Sequence, residues 1–231
     1  MSLSNNLNHI KQLIAEAELK SNRKPDSVLL LAVSKNQSIE AITELFRLGV
    51  MNFGENYYQE ALNKINSLND LSICWHFIGP IQSNKTKGIA THFSWVHSIS
   101  RLKIALQLNE YRPHHLPPLN VCIQVNLAGE ETKSGVLPEE AGELVRAVSQ
   151  LPHLNLKGLM TIPPPQNNPQ EQYNLLIKLN HLMNTINQEL NLTMDTLSMG
   201  MSDDLISSIQ AGSTIVRIGR AIFGERQGKL S

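Results

Sequence analysis

Lys35 stands at the end of the apolar run Leu29-Leu30-Leu31-Ala32-Val33, separated from it only by Ser34. Apolar surroundings disfavour the charged form of an ammonium, and the uncharged amine is the species that attacks a carbonyl and holds a Schiff base. The competing reading is a strand-end lysine whose head extends into water. Lys35 gains its meaning from a second group of residues. Ser198 and Ser202 flank Gly200, and Asp203 and Asp204 open the next helical stretch. Hydroxyls and backbone N–H groups that converge where a helix starts suit a phosphate dianion. Ser202 or Asp203 is equally a good helix cap, and the two roles are compatible. Further on, Arg217 offers a rigid, permanently charged donor, and Gly219 lets backbone approach a ligand closely. A structural ion pair is the alternative for the arginine.

Other candidates carry less. His76, between Trp75 and Phe77, reads as a satisfied core histidine more readily than as a base or ligand. Glu55 and Asn56 offer an acceptor and a hydrogen-bond donor near such a site, though Asn56 also suits a helix cap. The sequence contains no HExxH, no paired cysteine ligands and no GxSxG elbow, so metal and serine-hydrolase chemistry find no support.

These residues need a scaffold that brings distant segments to one place. After an amphipathic first helix, with Leu3, Leu7, Ile10, Leu13, Ile14 and Ala17 at helical spacing, the chain repeats one theme: a short apolar run, then a helical period. The runs cover 28–34, 50–54, 74–79, 95–99, 119–126, 156–162, 196–200 and 214–219. Helical stretches at 38–48, 57–68, 101–111, 138–150, 170–190 and 203–211 lie between them. Strands that alternate with helices pair in parallel, because the crossover has that length. An open doubly wound sheet fits the same rhythm but usually carries a Gly-rich turn after the first strand, where this chain reads Ser34-Lys35-Asn36-Gln37. Eight units in 231 residues favour a closed (β/α)8 TIM barrel formed as one domain over 1–231. The Pro-rich pieces at 113–118 and 163–169 read as loops. In such a barrel function collects at the C-terminal strand ends, with phosphate commonly held after strands seven and eight. Lys35, Asn56, Ser202, Gly219 and their neighbours all follow the apolar runs on that side.

The 20 basic and 20 acidic residues cancel, so no overall field draws the chain to nucleic acid or an anionic membrane, and a small ligand is the better expectation. Cys74 and Cys122 sit in apolar runs and read as buried thiols. The first helix lacks the unbroken apolar stretch of a signal peptide, and no segment is long and apolar enough to span a bilayer, so the expected location is cytoplasmic.

With these residues in view, the chain closely resembles the YggS/PROSC family of pyridoxal phosphate homeostasis proteins, nearly end to end. The resemblance is carried by Leu31-Ala32-Val33-Ser34-Lys35, Phe53-Gly54-Glu55-Asn56-Tyr57, the run from Trp75 to Lys85, Lys133-Ser134-Gly135, Gly158-Leu159-Met160, Leu197 to Asp203, and Gly212 to Gly219. It implies the alanine racemase N-terminal barrel, pyridoxal 5′-phosphate as cofactor, and Lys35 as the Schiff-base residue. It also implies that Ser198, Ser202 and the backbone at Gly219 and Arg220 hold the phosphate, that Arg217 faces the pyridine nitrogen, and that Asn56 lies near the ring hydroxyl. Family members often carry a second lysine two residues after the first, where this chain has Gln37, while Lys133 is a candidate for a secondary site.

Two functions of different class fit that cofactor. One is a non-catalytic protein that buffers pyridoxal phosphate and delivers it to apo-enzymes; the other is an amino-acid racemase. The sequence ends soon after the eighth unit, which leaves no second domain to supply the opposite-face base of a two-base racemase. An arginine at the pyridine nitrogen weakens the ring as an electron sink, though racemases tolerate one. The expectation is the carrier, working as a monomer.

Overall fold

A computed structural model describes residues 2–130 and 133–224. Eight parallel strands close into a barrel in chain order. They are β1 (Leu29–Val33), β2 (Asn52–Glu55), β3 (Cys74–Phe77), β4 (Trp95–Ile99), β5 (Leu119–Gln124), β6 (Leu154–Met160), β7 (Thr196–Ser198) and β8 (Ile215–Ile218). Each falls within or overlaps one of the apolar runs. Closure is made by β1 and β8, with Leu29 opposite Ile215 and Leu31 opposite Arg217.

The anticipated helices are present as α1 (Leu3–Lys20), α2 (Ile39–Arg47), α3 (Tyr58–Ser67), α5 (Leu102–Tyr111), α6 (Pro138–Val148), α7 (Pro169–Leu190) and α8 (Leu205–Gln210). Two more were not anticipated: α4 (Thr86–His92) and α9 (Arg220–Phe223). Both are short, and α4 carries Gly88 together with two threonines, so neither makes a helical apolar period of useful length.

Side chains alternate along each strand, and the alternation sorts the core. Leu30 and Ala32 pack outward against the helix layer, whereas Leu29, Leu31 and Val33 join Ile78, Trp95 and Ile215 inside the barrel. Helix α1 buries Leu7, Ile10, Ile14 and Ala17, each burial stabilising the fold by about 1–3 kcal/mol. It packs on α8 and α9, and Asn6 Nδ2 donates to the Ile222 carbonyl at 2.9 Å. At its end, buried Glu18 accepts hydrogen bonds from Asp26 N (3.2 Å), the Ser27 hydroxyl (3.1 Å) and Val28 N (2.8 Å), which fixes the chain's entry into β1.

Candidate functional site

The inward row Leu29, Leu31, Val33 continues to Lys35 one step beyond β1. Lys35 is half-buried at the C-terminal mouth of the barrel. It lines a cavity of about 700 Å³ together with Asn56, Ser202, Arg217, Gly219 and Arg220, beside the apolar walls Val33, Ile78 and Ile162. Six of the seven residues singled out from the sequence are therefore brought to one place. They come from the ends of β1, β2, β7 and β8.

Ser198, expected at the phosphate, is the exception. It is fully buried and is not among the described residues that line the cavity. Its position in β7 puts it opposite Ile215, two residues before Arg217 and so one layer deeper in the barrel. There its hydroxyl lies 2.9 Å from Arg217 Nη1 and 2.7 Å from His97 Nδ1. Ser202, four residues later, is the serine that reaches the cavity.

The same alternation separates Glu55 from Asn56. Glu55 points to the helix layer and is fully buried; its Oε1 accepts from the Ser34 hydroxyl at 2.6 Å and from Lys64 Nζ at 2.8 Å. Burial pushes its carboxyl above the ordinary range, with Lys64 and Ser34 pulling the other way. Asn56 faces the mouth, and its Oδ1 is buried with no hydrogen-bond partner among the described residues. Its backbone is held by a close approach: a Cβ on Gly79 would lie 2.0 Å from the Asn56 carbonyl oxygen, so that position admits only glycine.

Arg217 is 5% exposed and has no carboxylate within ion-pair distance among the described residues. Its Nη2 donates to the Thr161 carbonyl at 2.8 Å. Burial lowers it to about 10, which leaves it a cation at neutral pH. Arg220 is exposed and donates to Asp203 Oδ2 at 2.9 Å, tying the turn after β7 to that after β8. The first of these turns passes through Gly200 at φ +101°, where a Cβ would also meet the Ser208 side chain at 2.1 Å. Gln37 lines the cavity, whereas Lys133 pairs with Glu130 at 2.6 Å and does not.

Sequence reading missed the buried Lys64 and the buried His97. A lysine within a helix reads as solvated, and His97 sits in a short run of mostly apolar residues. Among the described residues no group of three or more His, Cys, Asp or Glu is placed to hold a metal ion, and no helix is long and apolar enough to cross a membrane.

The family model of the alanine racemase N-terminal domain matches residues 3–227. A pyridoxal phosphate homeostasis protein of Pseudomonas aeruginosa is 52% identical over 97% of this chain and 96% of its own length, and that of Escherichia coli K12 is 45% identical over 97% of each. Among solved structures, PipY of Synechococcus elongatus with pyridoxal phosphate bound superposes with a TM-score of 0.81 at 34% identity, over 91% of this chain and all of its own. Alanine racemase of Clostridium difficile shares the fold, with a TM-score of 0.79 at 16% identity over 99% of this chain and 58% of the racemase.

Proposed function

The chain belongs to the family of pyridoxal phosphate homeostasis proteins, built on the alanine racemase N-terminal domain, and from that premise we propose that it binds pyridoxal 5′-phosphate at the barrel mouth to buffer and deliver it, without catalysing a reaction of its own. The observation that carries this reading is the cavity that unites Lys35 with Asn56, Ser202, Arg217, Gly219 and Arg220. When bound, the cofactor supplies an aldehyde that a lysine amine takes up as a Schiff base.

The residues fit such a guest. Lys35 is the amine, set between apolar walls. The Ser202 hydroxyl and the backbone at Gly219 and Arg220 face the phosphate, where the first N–H groups of α9 have no acceptor within their own helix. Arg217 presents its remaining N–H groups to the pyridine nitrogen. The unpaired Oδ1 of Asn56 is an acceptor that a ring hydroxyl completes.

The non-catalytic part of the proposal has its own support. A two-base racemase sets a second acid/base group against the face opposite its lysine. The described lining residues include no tyrosine, histidine or cysteine, and their one carboxylate, Asp203, is paired with Arg220. Delivery to apo-enzymes, a cytoplasmic location and a monomeric single domain complete the proposal.

Visible absorption of the purified protein, followed by borohydride reduction and peptide mapping, tests it. The expected result is an imine band and a reduced adduct on the peptide containing Lys35. A colourless protein that cannot be reconstituted with pyridoxal phosphate would overturn the cofactor assignment. Chiral chromatography showing amino-acid racemisation at about 1 to 1,000 turnovers per second would overturn the carrier role.

A further inference from the structure

A continuous chain of hydrogen bonds descends from Arg217 through the barrel interior. Arg217 Nη1 lies 2.9 Å from the Ser198 hydroxyl, which lies 2.7 Å from His97 Nδ1. His97 Nε2 lies 2.9 Å from His76 Nδ1, and His76 Nε2 lies 3.1 Å from Asn52 Oδ1, at the start of β2. Ser198, His97 and His76 are fully buried. The His76 ring is stacked on Trp95 at 5.4 Å and 7°.

Donor and acceptor chemistry gives this chain one direction. A guanidinium only donates, so the Ser198 oxygen accepts from Arg217. The hydroxyl proton of Ser198 then has one acceptor in reach among the described residues, His97 Nδ1. That makes His97 the Nε2–H tautomer, which donates to His76 Nδ1; His76 is then also the Nε2–H tautomer and donates to Asn52. The reverse order would leave the Ser198 proton buried without an acceptor, at a cost of about 1–3 kcal/mol.

The interior of such a barrel is ordinarily filled by branched apolar side chains. Here neutral polar groups replace them directly beneath Arg217, the one buried cation among the described residues that line the cavity.

We propose that His97 and His76 are positioning residues of the cofactor site: through Ser198 they lock the plane of Arg217 and keep its unshared N–H groups aimed into the cavity, and so determine how the site holds the nitrogen of a pyridine ring. This rests on the reading of Arg217 as the neighbour of the ring nitrogen. Since every link below Arg217 is neutral, nothing in the chain takes a proton from the guanidinium or quenches its charge.

Two measurements test the role. Long-range 1H–15N spectra of the wild-type protein without ligand should show both rings as Nε2–H tautomers; His97 as the Nδ1–H tautomer or as an imidazolium would overturn the proposal. Binding of pyridoxal phosphate is then compared with binding of its 1-deaza analogue, which has C–H in place of the ring nitrogen. Ser198→Ala and His97→Leu should each weaken pyridoxal phosphate binding about tenfold, the loss of one hydrogen bond to a charged group, shift the imine band, and leave the analogue's affinity unchanged. His97→Asn, whose amide keeps an acceptor for Ser198, should recover most of the loss. If His97→Leu fails to fold by circular dichroism, Ser198→Ala and the tautomers decide. Equal losses with both ligands beside normal wild-type binding would sink this role alone. A wild-type protein that takes up no pyridoxal phosphate would sink the cofactor reading and this role with it.

Discussion

The ammonium of Lys64, on α3, lies 2.7 Å from the carbonyl oxygen of Ser34, the residue before Lys35, and 2.8 Å from buried Glu55. A third bond, to Glu60 at 2.6 Å, completes its partners. A lysine of the helix layer thus ties the ends of β1 and β2 together from behind the cavity. Lys64→Met leaves Glu55 buried without its counter-charge and is expected to cost about 3–5 kcal/mol of stability. Urea unfolding measures it, and adding Glu55→Gln should return part of the loss. A single variant within about 0.5 kcal/mol of wild type, the usual range of a surface substitution, would show that the tie contributes nothing.

Lys35→Ala should abolish the imine band and the borohydride-trapped adduct while leaving the far-ultraviolet circular dichroism unchanged, because a side chain at the mouth supports none of the apolar layers below it. Residual non-covalent affinity should persist in calorimetry through the turns after β7 and β8. A reduced adduct at full occupancy on Lys133, or on Lys229, which lies outside the described residues, would displace Lys35 as the principal site.

The two serines should part company. Ser202→Ala removes a hydroxyl that lines the cavity and is expected to weaken pyridoxal phosphate about tenfold, the cost of a hydrogen bond to a charged group, with little effect on pyridoxal, which has no phosphate. Ser198→Ala acts beneath the ring and should weaken both ligands alike. Parallel titrations check this, and a phosphate-selective loss from Ser198→Ala would return that residue to the phosphate.

Acid should destabilise the fold through its buried histidines. Burial lowers His76 to about 3; burial, and then the charges of His76 and Arg217, hold His97 well below its ordinary value. In the unfolded chain both titrate near about 6.5, so below that pH the unfolded state binds more protons and stability falls, by up to about 1.4 kcal/mol per pH unit for each histidine. The loss runs from about pH 6.5 toward the lowered folded-state values. Glu55 and Asp204, raised by burial, act in the opposite sense. His97→Asn removes one histidine and should flatten the dependence of the melting temperature between about pH 6.5 and pH 4.5. An equal slope in variant and wild type would contradict it.

The barrel was legible because each strand is a short apolar run and each crossover long enough to be a helix. Lys35, Arg217 and Gly219 were legible because the mouth lies where those runs stop. Depth was not. Whether a serine near β7 reaches the cavity depends on its layer within the barrel, and three residues of strand give no pattern from which to count. Glu55 and Asn56 differ by one residue and face opposite ways, which only the register of β2 against β3 decides. Lys64 and His97 acquire their meaning from partners on other elements, Ser34 and Ser198, that nothing in their local sequence announces.

The pairing of β1 with β8 sets an order of events during synthesis. Lys35 follows β1, the first of the described strands to leave the ribosome, and the segment from Arg217 to Arg220 comes with β8, the last of them. Until β8 docks, β1 has an open edge and the proposed cofactor site is only half made. If Lys35 and the segment at Arg217 to Arg220 grip the cofactor as proposed, a nascent chain carries the lysine long before it can retain a phosphorylated guest, and capture of the cofactor marks a finished barrel.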